Sequence, residues 1–175
     1  MSTVHQALDV YDALELDVVN IIVAEVNAVE PGRLTVARNA WTGPVRPAND
    51  RAKNHEGVWV LLTGGRESMP FLGGDGTEHR PTLQVRIRST KSDDGYSAGA
   101  KLARQCFLAV DQFPPPAFGP DGVTPIVPAY SPTTNICDLR SRSSAPLYLG
   151  LDEDGHHEWS INVEATVFGG ILVSL

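Results

Sequence analysis

The densest run of residues able to do chemistry lies near the end of the 175-residue chain, where Asp152, Glu153, Asp154, His156, His157 and Glu158 follow one another. Carboxylates and imidazoles are ligands for divalent metals, and a metal-bound water would serve as a hydrolytic nucleophile. Consecutive residues of a tight turn point in different directions, however, and neither the His-Glu-x-x-His arrangement nor the calcium-loop pattern occurs. The run reads as a solvated acidic turn; a metal-dependent hydrolase using the Asp152–His157 turn is the alternative from another class. The cluster Gly73-Gly74-Asp75-Gly76 has neither the Lys-Ser/Thr of a phosphate loop nor a Gly-x-Gly-x-x-Gly spacing, so it reads as a loop tip able to reach a neighbour. Gly95-Tyr96-Ser97-Ala98-Gly99 has the spelling Gly-x-Ser-x-Gly, but it falls within the helix expected from Asp93 or Asp94 and not on a strand-to-helix elbow, and His5, His55 and His79 sit in polar surroundings. These tests leave no catalytic residue, metal or cofactor, and the expectation is a chain that is not an enzyme.

The elements that position these residues follow from periodicity. Trp159, Ile161, Val163, Ala165 and Val167 alternate with Ser160, Asn162, Glu164 and Thr166, which predicts a strand with one face on a core. Asp152-Glu153-Asp154-Gly155 supplies a reverse turn before it, so Leu147–Leu151 is expected to run antiparallel to that strand. Leu83, Val85 and Ile87 alternate with Gln84, Arg86 and Arg88, giving a strand with one cationic face. Val58–Leu62 reads as a buried strand closed by Gly64-Gly65, followed by a long loop over 66–79. Further strands are expected over Leu34–Trp41 and Asn135–Arg140.

Three helical patterns accompany them. Val4, Leu8 and Tyr11 form an opening amphipathic turn. A second stripe, Val18, Val19, Ile22, Val26 and Val29, has Asp17 placed to cap its start and Pro31-Gly32 to stop it. The third starts at Asp93 or Asp94 and buries Gly99, Leu102, Ala103, Cys106, Phe107 and Val110 before Phe113-Pro114-Pro115-Pro116 ends it. Eight of the thirteen prolines fall between Pro114 and Pro146, so that region is expected to be extended and irregular. The sum is a single α+β domain over 1–175: an antiparallel or mixed sheet of about five strands with two or three helices packed on one face.

Composition narrows the function classes. A net charge of −7 argues against a general nucleic-acid binder, which must neutralise phosphates. No apolar run approaches the roughly 20 residues that span a bilayer, and acids stand where a signal peptide carries cations, so a soluble chain with no membrane partner is expected. Cys106 and Cys137 match no metal or redox spacing and read as reduced and buried. Charge is also partitioned. Residues 1–30 hold six acids and no Lys or Arg, residues 31–104 twelve bases against seven acids, and residues 105–175 two bases against eight acids. If these blocks reach different surfaces, copies can meet with opposite charges facing.

The run Pro146-Leu-Tyr-Leu-Gly-Leu-Asp-Glu-Asp-Gly155 followed by Trp159-Ser160-Ile161-Asn162 resembles the closing segment of the tail terminator and minor capsid proteins of long-tailed phages. The Arg-faced strand followed by the Tyr96-led helix containing Ala103-Arg104 is similar to a second part of that pattern, although His156-His157 stands where the family usually has Arg. The resemblance implies a structural virion protein, made in the host cytoplasm and located at the head-proximal end of the tail. It would form a homo-oligomeric ring, usually a hexamer, that caps the tail tube, stops its polymerisation and offers the joining surface for a head-tail connector or stopper protein. DNA would pass through the ring without sequence-specific binding. Another neck or head-completion protein is the nearest alternative. On this reading Arg86, Arg88, Gly74, Asp75, Ser160, Asn162 and Glu164 are the expected subunit-interface residues, with Arg86 and Arg88 facing acids of a neighbouring copy.

Overall fold

A computed structural model describes residues 3–43, 56–70, 77–115, 118, 120–125 and 130–168. The chain opens with a single helix, α1 (Thr3–Val29), where two helical patterns were expected. No Gly or Pro interrupts residues 3–29, so nothing in the backbone forces a break at Asp17. Of the expected stripe, Val18, Val19, Ile22 and Val26 are buried, joined by Leu14, whereas Val29 at the end of the helix is exposed. The helix closes where Glu30 N–H donates to the Val26 carbonyl at 2.9 Å, ahead of Pro31 and a Gly32 with φ of 78°.

The segment Leu34–Trp41, expected as a strand, is mostly turn. Only β1 (Ala40–Thr42) is extended. Asn39 explains the difference: its Oδ1 accepts from Thr35 N–H at 2.7 Å and its Nδ2 donates to the Arg33 carbonyl at 2.9 Å, so one side chain satisfies the backbone of a tight bend. Asn27 secures the same segment from α1 by donating to the Leu34 carbonyl and accepting from Leu34 N–H, at 2.8 and 2.9 Å.

Two long strands follow, β2 (Gly57–Pro70) and β3 (Thr77–Arg88), paired antiparallel. They take up most of the span expected as a loop over 66–79. Gly64-Gly65 does not end β2, because register shifts between Leu62 and Gly64 and between Arg66 and Met69 absorb the irregularity and pairing resumes. Then come α2 (Gly95–Asp111), β4 (Ile136–Ser141), β5 (Leu147–Leu151) and β6 (His157–Phe168). Asp94 occupies the position before α2, but its side chain makes no capping hydrogen bond.

The sheet has six strands in the order β1-β2-β3-β6-β4, with β5 also on β6. It is mixed: β1 runs parallel to β2, and every other pairing is antiparallel. Because β3 occupies one edge of β6 along most of its length, β4 and β5 share the other, β4 against Val163–Val167 and β5 against His157–Ser160. One face of this sheet carries Val58, Val60, Leu83, Val85, Ile87, Trp159, Ile161, Val163 and Ala165. These join the buried residues of α1 and α2 in one core. This is the α+β architecture read from the sequence, with two helices and one strand more than the five expected.

Two polar residues tie the layers together, and neither was legible as such. Arg33 is nearly buried, and every nitrogen of its guanidinium is used. It makes a bidentate pair with Glu56 at 2.8 and 2.9 Å, and bonds to Glu30, Gln105 and the Ala98 carbonyl at 2.8, 2.9 and 3.1 Å. The Glu56 pair raises the guanidinium pKa against the opposing effect of burial, so the charge is held. Arg33 therefore locks the end of α1, the entry to β2 and the middle of α2 at one point. Asp17 does the same for the proline-rich region: its carboxylate accepts from Tyr130 Oη at 2.7 Å, Thr133 N–H at 2.9 Å, Thr134 N–H at 2.6 Å and both threonine hydroxyls.

Candidate assembly surface

At the β5 end of the sheet the packing that governs the interior stops. β5 is Leu-Tyr-Leu-Gly-Leu, and Leu147, Tyr148, Leu149 and Leu151 are 58, 42, 43 and 63 % exposed. Among the described residues β5 pairs only with β6, so its outer edge presents backbone donors and acceptors beside four large apolar side chains. Natural edges are usually blunted by Lys, Pro or an inward charge; within β5 there is none. A five-residue edge of this composition is a template for another strand.

The edge is held rigid from behind. Tyr148 packs against Trp159 and Tyr96 with ring centroids 5.4 Å from each, and Tyr96 lies 5.2 Å from the His157 ring. Tyr148 Oη and His157 Nδ1 are 2.7 Å apart. Trp159 is buried because α2 offers it a glycine: a side chain at Gly99 would begin 2.4 Å from the indole. Beside this cluster, α2 and the approach to β5 enclose a groove of about 460 Å³ lined by Ala100, Arg104, Phe107, Pro146 and Trp159. The apolar surface thus continues from the strand onto the helix.

Below β5 the acidic segment forms a tight turn held by Asp152. Asp152 Oδ1 accepts from Asp154 N–H and His156 N–H at 3.0 and 2.8 Å, and Gly155 takes φ of 84°. His156 turns inward, buried, with Nδ1 donating to the Ser89 carbonyl at 2.7 Å. His157 faces the tyrosines. Among the described residues no three of His, Cys, Asp and Glu stand together as metal ligands. What the turn presents outward is charge: Glu153 and Asp154 are exposed.

The expected interface residues fare unevenly. Arg86 lies on the sheet face away from the helices, but it is engaged within the chain: its Nη2 is 2.6 Å from Glu158 and its Cζ lies 5.8 Å from the Trp59 ring. Trp59 in turn stacks on Trp41, with centroids 5.5 Å apart and planes within 5°. Arg88, expected beside Arg86 on an outer cationic face, is fully buried, so alternation alone misplaced it: the row it shares with Gly57 and Glu158 is covered. Ser160 is buried as well, and cannot face a neighbour. Asn162 is exposed, and Glu164 is half-buried and paired with Arg142 at 2.6 Å. Gly74 and Asp75 lie outside the described residues. Cys106 is buried, and desolvation pushes its thiol pKa far up; Cys137, expected to be buried too, is exposed because it falls on the outer side of β4.

No family model matches the chain, and no curated protein matches it.

Proposed function

We propose that this chain is a structural protein of a virus particle that works by assembling with its own copies, in the manner of the phage tail terminators its closing segment resembles. Copies close into a ring, six in number on that resemblance. The ring caps the head-proximal end of the tail tube, stops its polymerisation and carries the surface on which a connector or stopper protein joins. DNA passes through the ring without sequence-specific binding. The observation that carries the reading is the β5 edge: an uncharged, apolar strand, backed by a rigid aromatic cluster and left with its outer edge open among the described residues. An isolated soluble chain gains nothing from such an edge and risks aggregation through it, whereas a ring subunit needs an edge to close a head-to-tail contact.

Native mass spectrometry on the purified protein is the test. One dominant species at six times the chain mass is expected, and that species should be retained on isolated tail tubes and released less readily by dilution than by salt. A monomer at every concentration would overturn the proposal. Retention on heads with none on tubes would replace it with a neck or head-completion role.

A further inference from the structure

We infer that the ring is closed by a projection and its seat: the hairpin closed by Phe118 and Pro125 in one copy lies along β5 of the next, with Phe118 in the groove between α2 and Pro146 and Asp121 beside Arg104. This rests on the assembly proposed above and names its interface. Three features of the fold converge on it.

The first is where the exposed apolar side chains fall. Leu108 lines the groove, and Tyr96 with the four large residues of β5 continues its surface. Apart from Leu16 and Val29 on α1, the large apolar residues left exposed among the described residues are Phe118 and Val123, 53 and 76 % exposed and both on the hairpin. Two different patches of one chain make a heterologous contact, the kind that closes a ring by rotation. A two-fold pairing of β5 with itself would leave Phe118 and Val123 in water.

The second is that the projection is held in shape before it docks. Phe118 and Pro125 are bridged, and Gly122 takes φ of 69° at the turn. Asp121 accepts from Val123 N–H and Thr124 N–H at 3.0 and 2.9 Å, and from the Thr124 hydroxyl. A hairpin ordered in advance loses little freedom on docking, so more of the contact energy remains as affinity. An aromatic side chain set in a pocket is the usual anchor of such a contact. The groove, about 460 Å³, lies within the roughly 300–1,000 Å³ of sites that enclose compact ligands.

The third is charge. Arg104 lines the groove, is exposed and makes no ion pair among the described residues. It lies at the Pro146 end of β5, away from Glu153 and Asp154 beyond the other end. Asp121 is the one charged residue from 118 to 125. The hydrogen bonds of its turn, that from the Thr124 hydroxyl first, lower its pKa to about 2, so the tip carries a fixed negative charge. A carboxylate has about four acceptor sites, and the turn uses three. Seating Phe118 therefore brings an acid of one copy to the unpaired cation of the next, which fixes partner and orientation.

Cysteine cross-linking tests this in a background where the exposed Cys137 is replaced by serine. Val123→Cys and Leu147→Cys are made singly and together, and the native mass of each is measured before oxidation. The expected result is a ring in all three, with a disulfide-linked ladder up to the ring size from the double variant alone. A ring with no ladder, a disulfide closed within one chain, or covalent dimers from either single variant would overturn the seating and leave the ring standing. Phe118→Ser, made in the native chain, is expected to raise the concentration at half assembly about thirtyfold, the effect of losing an aromatic anchor. An unchanged value would likewise overturn the seating alone. A monomer at every concentration of the native chain would overturn both.

Discussion

Replacing Asp17 by alanine is expected to cost about 3 kcal/mol of folding stability, because hydrogen bonds to a buried charged group contribute roughly 1.5–3 kcal/mol and their loss strands the donors. Asp17 is 1 % exposed and lies mid-helix, where a carboxylate has no role in helix formation. Its worth lies in the donors of Tyr130, Thr133 and Thr134, which converge on it across more than a hundred residues of chain. Burial by itself would raise its pKa; the bonds from Thr134, Thr133 and Tyr130 outweigh that and hold it below the ordinary value of 3.8. A carboxylate whose folded pKa is depressed contributes stability that is complete above its unfolded pKa and is lost as the pH falls through the folded one. Chemical denaturation of the wild-type chain and of Asp17→Asn should therefore differ most at about pH 6 and converge at about pH 2. An equal gap at both pH values would show that the charge is not what holds the 130–134 segment.

Gly99→Val is expected to destabilise the fold as well, by up to about 3 kcal/mol. A Cβ at this position would lie 2.4 and 2.6 Å from Trp159 ring carbons and 2.8 Å from the Ser89 Cβ. Replacing a helical glycine by alanine gains about 1 kcal/mol from propensity, but overpacking a filled site costs about 1–3 kcal/mol, and the valine branch adds volume while forgoing most of the propensity gain. The clash wins. Its consequence reaches the surface, since Trp159 backs Tyr148 and Tyr96. A lowered thermal midpoint, with a weakened ring in those molecules still folded, is the expected outcome. An unchanged midpoint would contradict the packing of α2 on β6.

What could be read in advance was set by how local the signal is. β6, α2 and the β5–β6 hairpin were legible because each shows its period or turn chemistry within a dozen residues. The α1 stripe was legible for the same reason, but its continuity was not: Asp17 has the chemistry of a cap, and only the distant partners Tyr130, Thr133 and Thr134 show its other use. Arg33 lies in an unpatterned stretch, and no local signal announces partners at Glu56, Ala98 and Gln105. The length of β2 and β3 was hidden because Gly64, Gly65 and Pro81 are terminators by type, and bulges that let pairing resume leave no mark in composition.

The candidate surface was half visible. Leu147–Leu151 reads as a strand and the acidic turn as solvated, while the interface residues expected from the sequence lie on the polar face of β6, on the arginine face of β3 and in the Gly74-Asp75 loop. Whether β5 has a neighbour on its far side depends on strand order, which periodicity does not contain. The usable signal was an absence within the strand itself: five residues at a sheet edge with no charge and no proline.

Hydrogen–deuterium exchange over Leu147–Leu151, read as a function of protein concentration, tests most directly whether another copy covers this edge. The outward-facing amides of β5 should exchange quickly in dilute protein and become protected as the ring forms. Fast exchange in β5 at concentrations where the mass is already that of a ring would contradict the account.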